Sequence, residues 1–193
     1  MKSQNNQSLE KPQPQVPEAS LQHQLLKSLE NGKVTTVPTE TVEGYAVKLD
    51  NISAIQTLMC LKERDFNSGK IFTLVPKSPA DISNYALIPD SAKPIIKKHI
   101  PGELTIILPK NPSFKHYYYN HFDTIGIRIP DYKPFQELLT KTGPLILTSA
   151  NPKGGTPKSI TGHKPSTIVD FTGDTPVVIR QGNLKIDLDH YTQ

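Results

Sequence analysis

Short apolar runs with many β-branched residues alternate along this chain with segments of helical periodicity, and this alternation limits the possible folds more than any other feature. Strands are predicted at residues 34–37, 71–75, 104–108, 124–129, 145–147, 167–169 and 177–179. Helices are predicted at residues 21–30, 52–61, 89–99 and 135–140, with a further short helix opened by Ser78 and Pro79. Because strands and helices interleave, we expect the α/β class: a single domain in which helices flank a twisted, mixed β-sheet.

The first 20 residues differ in composition from the rest of the chain. They are rich in Gln, Asn and Pro and contain few apolar residues. Such a segment buries too little apolar surface to offset the entropy that is lost on ordering. We therefore expect a disordered extension over residues 1–20 and one folded domain over residues 21–193.

Charge and cysteine content limit the possible functions and locations. Lys and Arg outnumber Asp and Glu by 22 to 18, which gives a net charge of +4. This mild excess suits an anionic ligand such as a nucleotide, or a weak attraction to RNA. Cys60 is the only cysteine, so an intrachain disulfide is impossible. Because the sequence has neither an apolar run of about 20 residues nor the apolar core of a secretion signal, we expect no membrane span and a cytoplasmic location.

Four groups of small polar or cationic residues accompany the predicted strands and helices. They are Pro38–Thr41, Lys62–Arg64, Arg128 and Thr148–Asn151. Each has an ordinary interpretation: respectively a capped turn, a helix end stabilised by positive charge, a surface ion pair and a simple turn. Because Arg128 stands between two isoleucines, its side chain is expected on the face opposite to theirs. Together the four groups predict an anion-binding site at the strand ends, where open α/β sheets bind ligands.

The order of short motifs along the chain resembles the YrdC/TsaC family of threonylcarbamoyl-AMP synthases. The motifs lie at residues 38–44, 62–64, 101–105, 128–130, 149–151, 165–170 and 180–182. The first reads Pro-Thr-Glu-Thr-Val-x-Gly, the second Lys-x-Arg and the last Arg-x-Gly. The resemblance extends from Leu21 to Asn183 and implies a YrdC-like fold in its single-domain form.

This resemblance also implies an activity and a set of ligand contacts. The family joins L-threonine, bicarbonate and ATP into threonylcarbamoyl-AMP and releases pyrophosphate, and a downstream threonylcarbamoyl-transferase complex then modifies tRNA. The implied ATP contacts are Lys62, Arg64, Ser68, Thr124, Asn151, Ser159 and Arg180. The implied threonine contacts are Thr41, Arg128, Ser149 and Ser166, with Arg128 on the carboxylate. Mg²⁺ is implied as the ion that accompanies ATP, and all these residues bind and position rather than act as an acid, a base or a nucleophile.

The sequence departs from the family pattern at four positions. Glu43 stands where the family usually has an aromatic residue, and Tyr45 stands where a small or aliphatic residue is usual. Asp65 takes the place of a common proline, and Thr73 the place of a histidine found in some relatives. A carboxylate at position 43 would repel phosphates unless it faces away from them or meets a cation.

Two other functions are compatible with the same motifs. The main alternative is a non-catalytic module that binds tRNA or double-stranded RNA through the basic concave surface known in relatives. An RNA affinity that falls steeply with salt, without ATP binding, would favour it. The other is a carbamoyl-adenylate enzyme with a different substrate, as in hydrogenase maturation, although that activity resides in a much larger protein.

Overall fold

The computed structural model describes residues 18–152, 154–156 and 162–191, without the side chains of residues 190 and 191. The helices are α1 (Glu18–Glu30), α2 (Ile52–Leu61), α3 (Ile82–Tyr85), α4 (Lys93–His99) and α5 (Lys133–Thr142). The strands are β1 (Thr35–Val37), β2 (Gly44–Lys48), β3 (Thr73–Val75), β4 (Leu104–Pro109), β5 (Thr124–Ile127), β6 (Leu145–Ser149), β7 (Thr167–Asp170) and β8 (Val177–Arg180). Short 3₁₀ segments lie at Pro79–Asp81, Asp90–Ala92, Tyr119–His121 and Leu188–Tyr191.

These eight strands form one mixed sheet in the order β1-β2-β6-β3-β5-β4-β7-β8. The pairs β3–β5 and β4–β7 are parallel, and the other neighbouring pairs are antiparallel. The single α/β domain with a mixed sheet and flanking helices that the sequence predicted is thus confirmed. None of the helices within the described ranges is long and apolar enough to cross a bilayer.

Helices α2, α3 and α4 cover the first face of the sheet. The core between them includes Ile55 and Leu58 of α2, Ile82 of α3 and Ile95 of α4, packed on Leu74, Ile106, Ile127 and Ile146 of the strands. All of these side chains are fully buried. Because successive strand residues point to opposite faces, the residues next to them in each strand face the other side of the sheet.

Helices α1 and α5 cover only part of the second face. A smaller core joins α1 and α5 to β1, β2, β3 and β6 through Leu29, Phe135, Leu138, Val37, Ala46, Val75 and Leu145. The second-face side chains of β4, β7 and β8, by contrast, include Thr105, Ile168 and Arg180, which line an open cavity. The sheet therefore has one closed face and one face that is partly free to hold a ligand.

Several boundaries and one strand differ from the sequence prediction. Residues 18–20, which were expected to be disordered, are part of helix α1, and Glu18 places a favourable carboxylate in the first turn of the helix as described. The predicted strand 71–75 is shorter, from Thr73 to Val75. Strand β2 was not predicted because its small and mixed residues are covered on both faces and do not alternate clearly. Residues 1–17 lie outside the described residues, so their expected disorder stays a prediction.

Helix α2 offers a direct test of the local structure, because Asn51 caps its first turn. The Asn51 Oδ1 atom accepts a hydrogen bond from the Ala54 backbone N–H at 2.9 Å. We expect Asn51→Ala to lower the free energy of unfolding by about 1 kcal/mol in chemical denaturation. Asn51→Asp keeps the acceptor and should unfold nearly as the wild type does. An equal loss in both variants would contradict this role of Asn51.

Candidate functional site

A cavity of about 170 Å³ opens on the uncovered part of the second sheet face, and we call it the sheet cavity. Its lining residues are Thr39, Val42, Glu43, Gly44, Arg64, Ile71, Thr73, Thr105, Arg128, Leu147, Thr148, Ser149, Pro165, Ser166, Ile168 and Arg180. They come from strands β2, β3, β4, β6, β7 and β8 and from loops that precede or follow strands. Most of them are small hydroxyl or cationic residues, as expected for a site that holds an anion.

Arg128 is the most deeply buried cation of the sheet cavity. Ile127 and Ile129 lie in the core on the other side of the sheet, so Arg128 faces the cavity as the sequence predicted. Its Nη2 atom donates to Glu40 Oε1 at 2.9 Å and to Thr41 Oγ1 at 2.8 Å. Its Nε atom is buried without a hydrogen-bond partner among the described residues. Arg128 thus keeps donors for a ligand while Glu40 balances its charge.

The loop between β1 and β2 places Glu40 and Thr41 against Arg128 through hydrogen bonds of its own. Thr39 Oγ1 donates to the Val42 carbonyl at 2.8 Å and accepts from the Thr41 backbone N–H at 3.2 Å. Such a local side-chain-to-backbone turn is a common role for threonine. Both threonines are buried, so this loop is a fixed support for the guanidinium.

Ser166 and Arg180 form the opposite wall of the sheet cavity. Thr105 Oγ1 and Ser166 Oγ lie 2.8 Å apart, and both residues are buried. Arg180 donates to the Ser166 carbonyl through Nε at 3.0 Å and through Nη2 at 2.7 Å. Partial burial lowers the pKa of Arg180, and the positive charge of Arg128 lowers it further. Both arginines line the sheet cavity, so one anionic ligand can meet both of them.

Lys62 and Arg64 lie at the C-terminal end of helix α2, where the chain turns sharply. The Glu63 N–H donates to the Cys60 carbonyl and the Arg64 N–H to the Met59 carbonyl, with Glu63 at φ 45°. This pattern of bonds is a Schellman motif, which is one of the common ways to end an α-helix. It reverses the chain directly after Leu61, so both cations leave the helix toward the ends of the strands.

A second cavity of about 410 Å³ lies beside these cations, and we call it the loop cavity. Its lining residues are Lys62, Glu63, Arg64, Ser68, Lys70, Ser149, Asn151, Pro152 and Gly154. Arg64 and Ser149 line both cavities, so they form a shared wall. Burial lowers the pKa of Lys62 and of Arg64, and the positive charge of Arg64 lowers the pKa of Lys62 further. Clustered cations of this kind favour a phosphate ligand.

Asn151 presents a buried acceptor beside the loop cavity. Its Nδ2 atom donates to the carbonyls of Pro152 and Gly155, both at 2.8 Å. Because carbonyls only accept, these two bonds fix which side of the amide is nitrogen. The Oδ1 atom is buried and has no hydrogen-bond partner within the described part of the chain. A ligand donor at this point would satisfy it.

Some of the other predicted site residues line one of the two cavities, and others do not. Ser68 lines the loop cavity and Ser166 the sheet cavity, whereas Thr41 is buried behind Arg128. Thr124 begins β5 on the same face as Arg128 but lines neither cavity. Ser159 lies outside the described residues. Glu40 and Thr105 also belong to this site and were not predicted as ligand contacts, although both lie within the sequence motifs named above.

The family departures also lie at the site. Glu43 and Thr73 both line the sheet cavity. The ring centre of Tyr45 lies 6.0 Å from Lys62 Nζ, which is within reach of a cation–π contact. Asp65 caps its own loop by accepting from the Asn67 N–H at 3.0 Å. Three departures thus alter the ligand-facing groups or their immediate neighbours.

Comparisons with known proteins agree on one family. The family model Sua5_yciO_yrdC, described as "Telomere recombination", matches residues 27–161. A threonylcarbamoyl-AMP synthase of Vibrio campbellii is 32% identical over 163 residues, which cover 82% of this chain and 85% of that protein.

Two solved structures share the fold. The structure of P. abyssi Sua5 complexed with L-threonine matches with a TM-score of 0.74 and 23% identity, over 88% of this chain and 56% of that one. This chain therefore spans little more than half the length of that relative. The structure of E. coli YciO matches with a TM-score of 0.72 and 22% identity, over 87% of this chain and 92% of that one.

Gly182 provides a test of how the Ser166 wall is built. A Cβ atom on Gly182 would lie 2.4 Å from the Pro165 carbonyl oxygen and 2.7 Å from the Thr167 nitrogen. We expect Gly182→Ala to push this backbone away and to lower the free energy of unfolding by about 1–3 kcal/mol. Gly173→Ala is the matched control, because its Cβ would meet only the Thr175 carbonyl oxygen at 3.8 Å. Equal stability of both variants would contradict the close approach at Gly182.

Proposed function

The chain belongs to the Sua5/YciO/YrdC family, and on this premise we propose that it is a nucleotidyltransferase that makes threonylcarbamoyl-AMP from L-threonine, bicarbonate and ATP. The observation that carries the proposal is the shared wall of Arg64 and Ser149 between the two cavities. This arrangement would hold an amino-acid carboxylate on one side and phosphates on the other, so that their reacting groups meet at the wall. The product would pass to a downstream threonylcarbamoyl-transferase complex in the cytoplasm.

The sheet cavity is the proposed threonine subsite. The remaining donors of Arg128 would hold the carboxylate, since a guanidinium offers a fixed fork that matches it. The hydroxyls of Thr105 and Ser166 supply donors and acceptors for the amino and hydroxyl groups of the ligand. The sheet cavity is small, which suits a small amino acid better than a large one.

The loop cavity is the proposed subsite for the ATP phosphates, with Mg²⁺ entering as part of the MgATP substrate. Lys62, Arg64, Ser68 and Asn151 line it, and Lys70 adds a further positive charge. The ring of Phe72 lies 4.9 Å from the Arg64 guanidinium, which fixes the plane of that group without using its N–H donors. We keep Thr124, Ser159 and Arg180 as proposed contacts of the rest of the nucleotide, on the strength of the family pattern.

The proposed chemistry needs positioning and charge rather than a protein nucleophile. Bicarbonate takes up a proton and loses water to give CO₂. The neutral amine of threonine attacks the carbon of CO₂ and releases a proton, which forms a carbamate. A carbamate oxygen then attacks the α-phosphorus of ATP, and the bond to the leaving pyrophosphate breaks. Both reacting groups are anionic, so cations fixed at the shared wall would lower their repulsion and hold them in line.

A non-catalytic module for tRNA or double-stranded RNA is the second candidate. Lys97 and Lys98 lie exposed in the last turn of α4, and the whole chain has a net charge of +4. Such a module would bind RNA with an affinity that falls steeply with salt. It would have no use for the buried Arg128 beside small hydroxyls, which is why we favour the enzyme.

The function is tested by pyrophosphate release from ATP. We expect release to require both threonine and bicarbonate, because the carbamate forms only when both are present. Purified full-length protein is assayed with each component omitted in turn. Salt-sensitive RNA binding together with no threonine-dependent pyrophosphate would instead support the RNA-binding module.

The two subsites are tested separately by two variants. We expect Arg128→Met to raise the KM for threonine about 100-fold, as loss of a charge-assisted contact of about 2–3 kcal/mol implies. We expect Arg64→Met to lower kcat/KM for ATP by a factor of about 100 for the same reason. Steady-state kinetics with each substrate varied gives both values. Lys77→Met is the matched control, since Lys77 is exposed and lines neither cavity. Variants that act alike on both substrates would contradict the separation.

A further inference from the structure

Lys62 differs from an ordinary phosphate-binding lysine because its ammonium group is already engaged by the protein. Its exposed fraction is only 4%. The Nζ atom donates to the Ser149 carbonyl at 3.0 Å and makes a second, short hydrogen bond to the Asn151 carbonyl. An ammonium has three N–H donors, so one remains for a ligand. Most of the hydrogen-bonding capacity of Lys62 thus serves the chain itself.

Arg64 is arranged in the opposite way. Its guanidinium makes no hydrogen bond or ion pair with the described residues, and it lines both the sheet cavity and the loop cavity. The Phe72 ring supports it from one side. Arg64 can therefore turn its donors toward a ligand without first breaking a bond to the protein. The two cations of the Lys-x-Arg motif are unequal in this respect.

The carbonyls that Lys62 binds belong to the shared wall. Ser149 ends β6 and lines both cavities, and Asn151 lines the loop cavity. The Asn151 N–H donates to the Ser149 carbonyl at 3.0 Å, and the Asn151 side chain ties this turn to Pro152 and Gly155. Among the described residues, Lys62 is the one side chain outside β6 and the turn after it that donates hydrogen bonds to the Ser149 and Asn151 carbonyls.

We propose that Lys62 is a positioning residue for the threonine subsite, holding the Ser149–Asn151 turn so that the Ser149 side of the sheet cavity is formed before any nucleotide binds. This inference rests on the proposed function, because it takes the sheet cavity as the threonine subsite. Removal of the ammonium leaves the Asn151 carbonyl without the Lys62 donor and leaves the Ser149 carbonyl with the Asn151 N–H alone, so the turn relaxes and the cavity wall moves. A lysine that only contacts phosphate would have no influence on threonine in the absence of ATP.

Threonine binding without nucleotide separates the two roles. Isothermal titration of full-length protein with L-threonine, in the absence of ATP and bicarbonate, is compared for the wild type, Lys62→Met and Lys70→Met. We expect Lys62→Met to bind threonine at least 10-fold more weakly. Lys70→Met removes an equal charge from the loop cavity. The described residues show no hydrogen bond from Lys70 to the turn, so this variant should stay within twofold of the wild type. Lys62→Gln, with a smaller polar side chain, decides the question if Lys62→Met does not fold.

The possible results have distinct meanings. Equal threonine affinity of the wild type and the folded Lys62 variant would overturn the positioning role while leaving the proposed function intact. An equal loss in Lys62→Met and Lys70→Met would also overturn it, because the effect would then be one of charge. A wild type that binds no threonine would contradict the proposed function itself. Faster amide hydrogen exchange at residues 149–151 in the Lys62 variant, with the rest of β6 unchanged, is the accompanying signature that we expect.

Discussion

Incomplete cover on one face of the sheet is the constraint on which the rest of this structure depends. Helices α2, α3 and α4 bury the first face, whereas α1 and α5 reach only the β1, β2, β3 and β6 part of the second. The strands β4, β7 and β8 can therefore carry threonine and arginine where a covered sheet would carry apolar residues. Small hydroxyl and cationic side chains lie at this opening, because burying them under a helix would be costly without a hydrogen-bond or charge partner.

Partners inside the protein make the buried charges of the site tolerable. Glu40 neutralises Arg128, and two main-chain carbonyls receive the Lys62 ammonium. Each arrangement still leaves unfilled hydrogen-bonding capacity, at Arg128 Nε, at Asn151 Oδ1 and at the third N–H of Lys62. Unsatisfied polar atoms are costly when buried, so a site that retains them is poised to gain from a polar ligand. This explains why the cavities suit anionic substrates that bring both donors and acceptors.

Periodicity and motif order predicted much of this from the sequence, and the missing parts have physical causes. Alternation placed Arg128 opposite Ile127 and Ile129 because a strand has a period of two. Strand β2 escaped prediction, since glycine and alanine packed between neighbours show no such alternation. The Glu40–Arg128 pair joins residues 88 positions apart, and only the strand order brings them together. The engagement of Lys62 with the β6 turn is equally invisible in sequence, because its acceptors are main-chain carbonyls.

Identification of the nucleotide product tests the central claim most directly. Purified protein is incubated with ATP, L-threonine and ¹³C-labelled bicarbonate. The nucleotides are then separated, and their masses are determined by mass spectrometry. We expect a threonylcarbamoyl-AMP that carries the labelled carbon, formed in an amount equal to that of pyrophosphate. An adenylate without the label, or ATP turnover at the same rate without threonine, would contradict the proposed synthase activity.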